Sequence, residues 1–423
     1  MKILVVLPLY GGSLPVGRYC ADALAELGHM VEVFEAPDFH ASYKALERLR
    51  VTTDRLQHLE SSYLQVVSQA VLAKVETFQP DLVLAMAQAP LSIQSLKRLR
   101  RDGVPTAMWF VEDFKLFPYW QAFAPHYDFF AVIQREPFLS ELAKIGAANT
   151  LYLPMAAHPK VHKQLELSAA EQRKFGSDVS FMGAGYPNRR VALREFIGLD
   201  FKLWGTEWEG DTALAPYVQM GGARVSSEDC VRIFNATKVN INLHSSIQAQ
   251  ELVTGGDFIN PRTFEVAACG AFQVVDRRGL MAECFAEDEL ATFEDMAGFR
   301  ELVRHFLAHP DERLEYARRG QARVLRDHTY AARMRTLLDF VAQRLPGWPA
   351  RREGAAPALE GVPAELAADI AALLSRLGLP ADASFEDLVW AVRQQQGKLG
   401  ELDAAVLFLD EWRKLYGRKG GGQ

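Results

Sequence analysis

Residues 2–12 read Lys2-Ile3-Leu4-Val5-Val6-Leu7-Pro8-Leu9-Tyr10-Gly11-Gly12. The run from Ile3 to Leu7 is apolar without alternation, as expected of a strand buried on both faces of a parallel sheet. Pro8, Gly11 and Gly12 end it in a turn. Arg18 to Leu27 has helical periodicity and stops at Gly28, and Met30 to Phe34 is the next apolar run. This β-loop-α-β order opens a doubly wound α/β sheet. Residues 41–78 read as mostly helical. Further strands are expected at Leu82–Met86, Thr106–Phe110, Phe129–Ile133 and Leu151–Leu153, with a helix running to Arg101.

The polar stretch 158–176 reads as a connection, after which the pattern restarts. Strands are expected at Val179–Met182, Phe201–Trp204, Val239–Leu243 and Phe272–Val275. Helices are expected at 189–197, 262–269, 296–308, 311–327 and 330–345. Residues 346–363, rich in Pro, Gly, Ala and Arg, read as a linker. Residues 364–416 follow with three amphipathic stripes: Leu366, Ile370, Leu373, Leu374 and Leu377; then Phe385, Leu388, Val389 and Val392; then Leu402, Val406, Leu409 and Trp412. The expected architecture is α/β: two facing Rossmann-like domains, 1–165 and 177–329, with a C-terminal all-α extension. The helix 330–345 is expected to pack back on the first domain. The three stripes of 364–416 could pack on one another, on the two lobes or on a protein partner, and the final Gly-Gly-Gly-Gln is expected to be disordered.

Composition narrows the class. At roughly 100–200 residues per domain, 423 residues suit two or three domains. A net charge of -6 argues against a general nucleic-acid binder. Cys20, Cys230, Cys269 and Cys284 show no CxxC spacing, so no zinc site is expected and the thiols read as buried and reduced. No run approaches the ~20 apolar residues of a spanning helix, and the first apolar run is too short for a signal peptide. The expectation is a cytoplasmic protein that does not cross a membrane.

The segment richest in chemistry is Asp257-Phe258-Ile259-Asn260-Pro261-Arg262-Thr263-Phe264-Glu265-Val266-Ala267-Ala268-Cys269-Gly270. Pro261 suits a first helical turn and Gly270 a helix end. Free N–H groups at such a start can hold a phosphate, and Glu265, one turn in, can accept two hydrogen bonds from a ribose diol. Gly183 and Gly185 follow the Val179 strand and allow close backbone approach. Arg189 and Arg190 beyond them are candidate diphosphate donors. Lys238 to Ser246 is a strand ending in His244, Ser245 and Ser246.

These segments resemble the second lobe of GT-B glycosyltransferases, in which two acids separated by seven residues flank a nucleotide-sugar. Asp257 and Glu265 have that spacing, with Asp where Glu is usual. The closer resemblance is to the CgeB-type, spore-maturation-like family. It rests on Phe181-Met182-Gly183-Ala184-Gly185-Tyr186-Pro187-Asn188-Arg189-Arg190, Asn260-Pro261-Arg262-Thr263-Phe264-Glu265 and Asp327-His328-Thr329-Tyr330. It implies transfer of a sugar, from a UDP-sugar by preference, to a hydroxyl of a glycan or protein. The implied donor residues are Glu265, Arg262, Asn260, Asp257, Gly183, Gly185, Arg189, Arg190, Lys238 and Ser245. The implied catalytic candidates are Asp113, Glu112 and His244, and Gly11, Gly12 and Ser13 form a phosphate- or acceptor-facing loop. Tyr119, Trp120, Tyr127 and Asp128 read equally as a sugar-stacking surface or as core. No DxD triplet occurs, so no metal and no cofactor is expected beyond the co-substrate. Two alternatives stay open: a nucleotide-sugar epimerase, and a non-catalytic binding or assembly protein on the same scaffold.

Overall fold

The structure, a computed structural model, describes residues 1–249, 256–349, 357–395 and 397–416, with 414–416 described by backbone only. Residues 350–356 of the 346–363 linker and the terminal Gly-Gly-Gly-Gln lie outside the described residues. The chain divides into two compact units, 1–349 and 350–423.

The first unit holds two all-parallel sheets. One contains β1 (Lys2–Val6), β2 (Met30–Phe34), β3 (Leu82–Met86), β4 (Thr106–Phe110), β5 (Phe129–Val132) and β6 (Thr150–Tyr152), in the order β2-β1-β3-β4-β5-β6. Ile3 stands opposite both Val31 and Leu82. Ile3, Val5 and Leu7 belong to the core shared with the helices Ser13–Glu26 and Tyr330–Arg344. Leu4 and Val6 point the other way and are equally buried. A strand covered on both faces has no solvent side, and this is why its sequence does not alternate.

The second sheet contains β7 (Ser177–Met182), β8 (Phe201–Trp204), β9 (Thr237–Asn242), β10 (Gln273–Asp276) and β11 (Ala291–Phe293), in the order β11-β10-β9-β7-β8. Counted within its own lobe, this is the same winding as the first sheet. Each lobe therefore has one place where the winding reverses, between β1 and β3 and between β7 and β9. Ligands of open α/β sheets bind outside the carboxyl ends of strands at such points. The polar connection contains a helix at Ala169–Phe175 with a Ser168–Glu171 capping box, and Ser227–Ala236 is a further helix.

Helix Tyr330–Arg344 returns to the first lobe. Its Arg333 donates to the carbonyls of Pro154 and Met155, and Tyr330 packs against Tyr19 at 5.3 Å between ring centroids. Loops from the carboxyl ends of the two sheets meet. Arg224, beyond β8, donates to the Gly11 carbonyl beyond β1. Gln134 and Arg135, beyond β5, donate to Asp257, and Arg135 pairs with Glu283 at 2.8 Å.

The second unit has helices Ala364–Arg376, Phe385–Arg393 and Glu401–Tyr416 around Ile370, Leu373, Leu374, Leu388, Val389, Val392 and Val406. Two of the stripes pack less fully than their spacing suggested: Leu366, Leu409 and Trp412 are exposed. Val406 is buried, whereas Leu409 and Trp412 of the same helix are about half exposed.

Candidate donor and acceptor site

The start of helix Pro261–Ala268 is fixed by a buried polar network. Asn260 caps it, its side-chain oxygen accepting from Thr263 N at 3.1 Å. The Asn260 amide donates to Asn242 Oδ1, and Asn242 donates to Thr263 Oγ1 and Gln273 Oε1. His244 closes the network. Its Nε2 accepts the Asn260 backbone N–H at 2.9 Å, so Nδ1 carries the proton and meets Asp276 Oδ1 at 2.7 Å. Burial pulls the His244 pKa down, against the opposing pull of Asp276. Both ring nitrogens are thus committed. His244, a catalytic candidate from the sequence, is a positioning residue here, and Asn260 is a cap and network member rather than a free nucleotide contact. Because the cap occupies the Thr263 N–H, the anion site at this helix start is smaller than the sequence suggested.

Glu265 lies one turn in, with its side chain 14% exposed. Its carboxylate accepts no hydrogen bond among the described residues. Two cationic or ionisable nitrogens stand near it, Arg262 Nη1 at 3.7 Å and His162 Nε2 at 3.9 Å. Tyr19, from the first lobe, comes close enough for Glu265 to help raise its phenol pKa to about 12, after the larger effect of burial. Glu265 is thus an acceptor with open capacity between the lobes, and Arg262 lies over the ring of Phe234 beside it.

The loop after β7 is locked by its own side chains. Arg189 donates to the carbonyls of Leu243 and Ala184, and burial lowers its pKa to about 10. Arg190 donates to the carbonyls of Gly185, Glu207 and Glu209. A Cβ at Gly185 would lie 2.1 Å from the Glu207 oxygen, so protein packing alone requires glycine there. Asn188 donates to the His244 carbonyl and accepts from Ser246 N, tying this loop to the end of β9. Ser245 is half-buried at that junction, and Gly183 accepts from the Trp208 indole.

Lys238 is elsewhere. It stands near the amino end of β9, exposed and paired with Asp178 at 2.6 Å, at the opposite edge of the sheet from these loops. A single strand cannot bring both its ends to one site, so Lys238 does not join the group. Asp257 does reach the cleft, but its oxygens accept from Gln134 Nε2 at 3.1 Å and Arg135 N at 2.9 Å. It links the lobes. Arg278, missed in the sequence, is buried beside it, 3.5 Å from Asp276 and donating to the Phe258 carbonyl. A cavity of about 520 Å³ lined by Asp257, Arg278, Met281, Phe285 and Leu290 opens there.

In the first lobe, Glu112 accepts from Gln88 Nε2 at 2.5 Å and Tyr119 Oη at 2.7 Å. Burial raises its pKa, and the two donors oppose that rise. Gln88 has φ +65°, in the left-handed region, and its N–H donates to Tyr119 Oη. Non-glycine residues are costly there and cluster at functional sites. Asp113 accepts from Lys115 N. Trp120 and Tyr127 are core, and Asp128 binds Thr106 and Arg100; of the proposed stacking residues only Tyr119 belongs to this group. Ser13 donates to the Ala87 carbonyl, while a Cβ at Gly11 or Gly12 would meet no atom within 4 Å. Among the described residues no cluster of metal-ligating side chains occurs, and no helix is long and apolar enough to cross a membrane.

Two parallel lobes with this winding, meeting at their carboxyl ends around an open carboxylate, make a GT-B-type fold. Residues 189–339 match the family described as glycosyl transferase-like. The chain is 25% identical to spore protein CgeB of Bacillus subtilis (strain 168) over 261 residues, 58% of this chain and 78% of that protein. The fold matches sucrose-phosphate synthase from Thermosynechococcus elongatus at TM-score 0.54 and 13% identity, over 81% of this chain and 98% of that one. It also matches Anabaena HepE in complex with UDP-glucose, at TM-score 0.54 and 10% identity, over 81% and 100%.

Proposed function

We propose that the protein transfers a sugar from a nucleoside-diphosphate donor, UDP-sugar by preference, to a hydroxyl of a glycan or protein acceptor without a metal ion. The observation that carries this reading is the Glu265 carboxylate, open between the lobes and one turn inside a capped helix. It accepts the ribose diol. Arg262, with Arg189 behind it, faces the diphosphate, whose charge grows as the bond to the anomeric carbon breaks; fixed cations in a site that excludes water stabilise such charge. Glu112 is the preferred base over Asp113, because burial lifts its pKa toward neutrality and Gln88 and Tyr119 orient it. The acceptor O–H proton goes to Glu112, the acceptor oxygen bonds to the anomeric carbon, and the electron pair of the broken bond leaves with the nucleoside diphosphate.

HepE, which shares the fold, was solved with UDP-glucose, and this supports the uridine preference. One observation favours a non-catalytic reading: Asp257, the first acid of the spaced pair, is spent on the first lobe. A thermal-shift screen of UDP-, GDP-, CMP- and dTDP-sugars, followed by nucleotide release with and without glycan acceptors, separates the two. A ligand at 100 times its Kd stabilises the native state by about 2.7 kcal/mol. The expected result is stabilisation by UDP-sugars and acceptor-dependent release of UDP. Tight donor binding without release would instead establish a binding protein, and acceptor-independent sugar isomerisation would establish an epimerase.

A further inference from the structure

Arg224 lies beyond β8, in a segment no sequence signal singled out. Three consecutive residues before it, Met220, Gly221 and Gly222, have φ of 51°, 61° and 75°. This left-handed run turns the chain back sharply before the Ser226-capped helix Ser227–Ala236. Arg224 is thereby thrown across to the other lobe, where Nη2 donates to the Gly11 carbonyl at 3.1 Å. It is exposed, and it pairs with no carboxylate among the described residues. Other arginines of this lobe are committed: Arg194 to Asp211, Arg232 to Asp229 and Glu171, Arg190 to four carbonyls. A guanidinium held by one neutral carbonyl keeps most of its donors available.

The loop it touches points to what those donors are for. Gly11 has φ +106°, and the space where a Cβ would stand at Gly11 and at Gly12 is empty for 4 Å. At Gly185 the protein fills the equivalent space, but here nothing does. The loop lies at the winding reversal of the first sheet, facing the second lobe's own reversal. A small anionic group fits between bare backbone on one side and a guanidinium on the other.

We propose that Arg224 is a diphosphate ligand that reaches the donor from outside the loop after β7, exchanging its bond to Gly11 for the phosphate oxygens as the donor enters. This rests on the donor reading above. It adds a cation that binds in the closed cleft, alongside the fixed Arg189, whose Nε and Nη1 are already spent on carbonyls.

The test is calorimetric titration of the full chain and its Arg224→Ala, Arg224→Gln and Arg224→Lys variants with UDP, uridine and inorganic diphosphate, alongside melting curves. Arg224→Ala and Arg224→Gln should lose about tenfold or more in UDP and diphosphate affinity, the size of one charge-assisted contact. Uridine affinity should stay within about twofold, and Arg224→Lys should recover part of the loss. Equal losses for UDP and uridine would make Arg224 a mere tether between lobes and overturn the proposal, as would unchanged UDP affinity. If the unmutated protein binds none of the three, and GDP and dTDP also fail, the donor reading itself falls and Arg224 falls with it.

Discussion

Replacing Glu265 by Gln tests the donor reading at its most exposed point. The substitution is nearly isosteric, and the native carboxylate accepts no hydrogen bond among the described residues. Its neighbours Arg262 and His162 stand at 3.7 and 3.9 Å, too far for strong pairing. The fold should therefore tolerate the change, with a melting temperature within about 2 °C of the parent, as ΔΔG well below 1 kcal/mol implies. The ligand should not tolerate it. A carboxylate oxygen accepting a ribose hydroxyl contributes roughly 1.5–3 kcal/mol, and Gln keeps one weaker acceptor while presenting a donor in place of the other. The expected loss in UDP binding is about 2–3 kcal/mol, or about 30- to 150-fold in Kd. The sharper readout is discrimination between UDP and 2′-deoxy-UDP by calorimetry. The parent should prefer UDP, because the deoxy ligand leaves part of a buried carboxylate unpaired. In Glu265→Gln that preference should shrink toward unity. A folded variant with the parental ratio of UDP to deoxy-UDP affinity would remove Glu265 from the ribose, whatever happened to absolute affinity.

The remaining expectations bear on other parts of the site. Tyr119→Phe removes a donor that holds the Glu112 pKa down, so the acid limb of the kcat/KM profile should move to higher pH; an unmoved limb would exclude Glu112 as the base. Asn260→Ala removes a helix cap, about 1 kcal/mol, and strands the buried Asn242 oxygen at about 1–3 kcal/mol; urea unfolding should show about 2–4 kcal/mol lost, and a loss under 0.5 would mean the network is not a structural unit. Transfer activity should survive excess EDTA, and loss that magnesium or manganese restores would contradict the metal-free mechanism. Removing residues 350–423 should leave a stable protein with parental UDP affinity, because the lobes form their own unit; unfolding on truncation would show that the helical module completes their core.

What could be read from the sequence follows from how each part is stabilised. Strands such as Leu82–Met86 and Thr106–Phe110 are buried on both faces, so their continuous apolar runs announce them. β11 has only three residues and no period to detect. The helix Ser227–Ala236 carries its own signal, a Ser226 cap with Glu228 and Asp229 in the first turn. Glu265 was visible because its position depends on local chain geometry: a Pro at the helix start and a turn of three or four residues. Lys238 lies on the strand that leads to His244 but at its other end, and an apolar run does not say which end faces the loops. The bonds from Gln134 to Asp257 and from Arg224 to Gly11 join residues 123 and 213 positions apart. No local pattern specifies such pairs; only the closing of one lobe on the other creates them.

The charges at the end of the second sheet bear on the proposed anionic donor. Arg189, Arg262 and Arg278 stand around Asp276, Glu265 and Asp257, three guanidiniums against three carboxylates. His244 adds no charge, because burial keeps it neutral. Its folded pKa lies below the unfolded one, so the unfolded chain takes up a proton first as the pH falls. The stability its neutrality contributes is present above the unfolded value and is lost as pH drops from about 6.5, the ordinary histidine value. Protonating His244 would turn Nε2 from acceptor to donor against the Asn260 N–H, undoing the cap that aims Glu265. Acid should therefore weaken donor binding before it unfolds the lobe, even though it adds positive charge where a diphosphate would sit. A site that merely collected cations would bind its anion more tightly under the same change. The direction of the affinity for UDP-glucose, whose esterified diphosphate does not titrate in this range, between pH 7 and pH 5 thus tells whether charge alone or the His244–Asn260 geometry governs the donor.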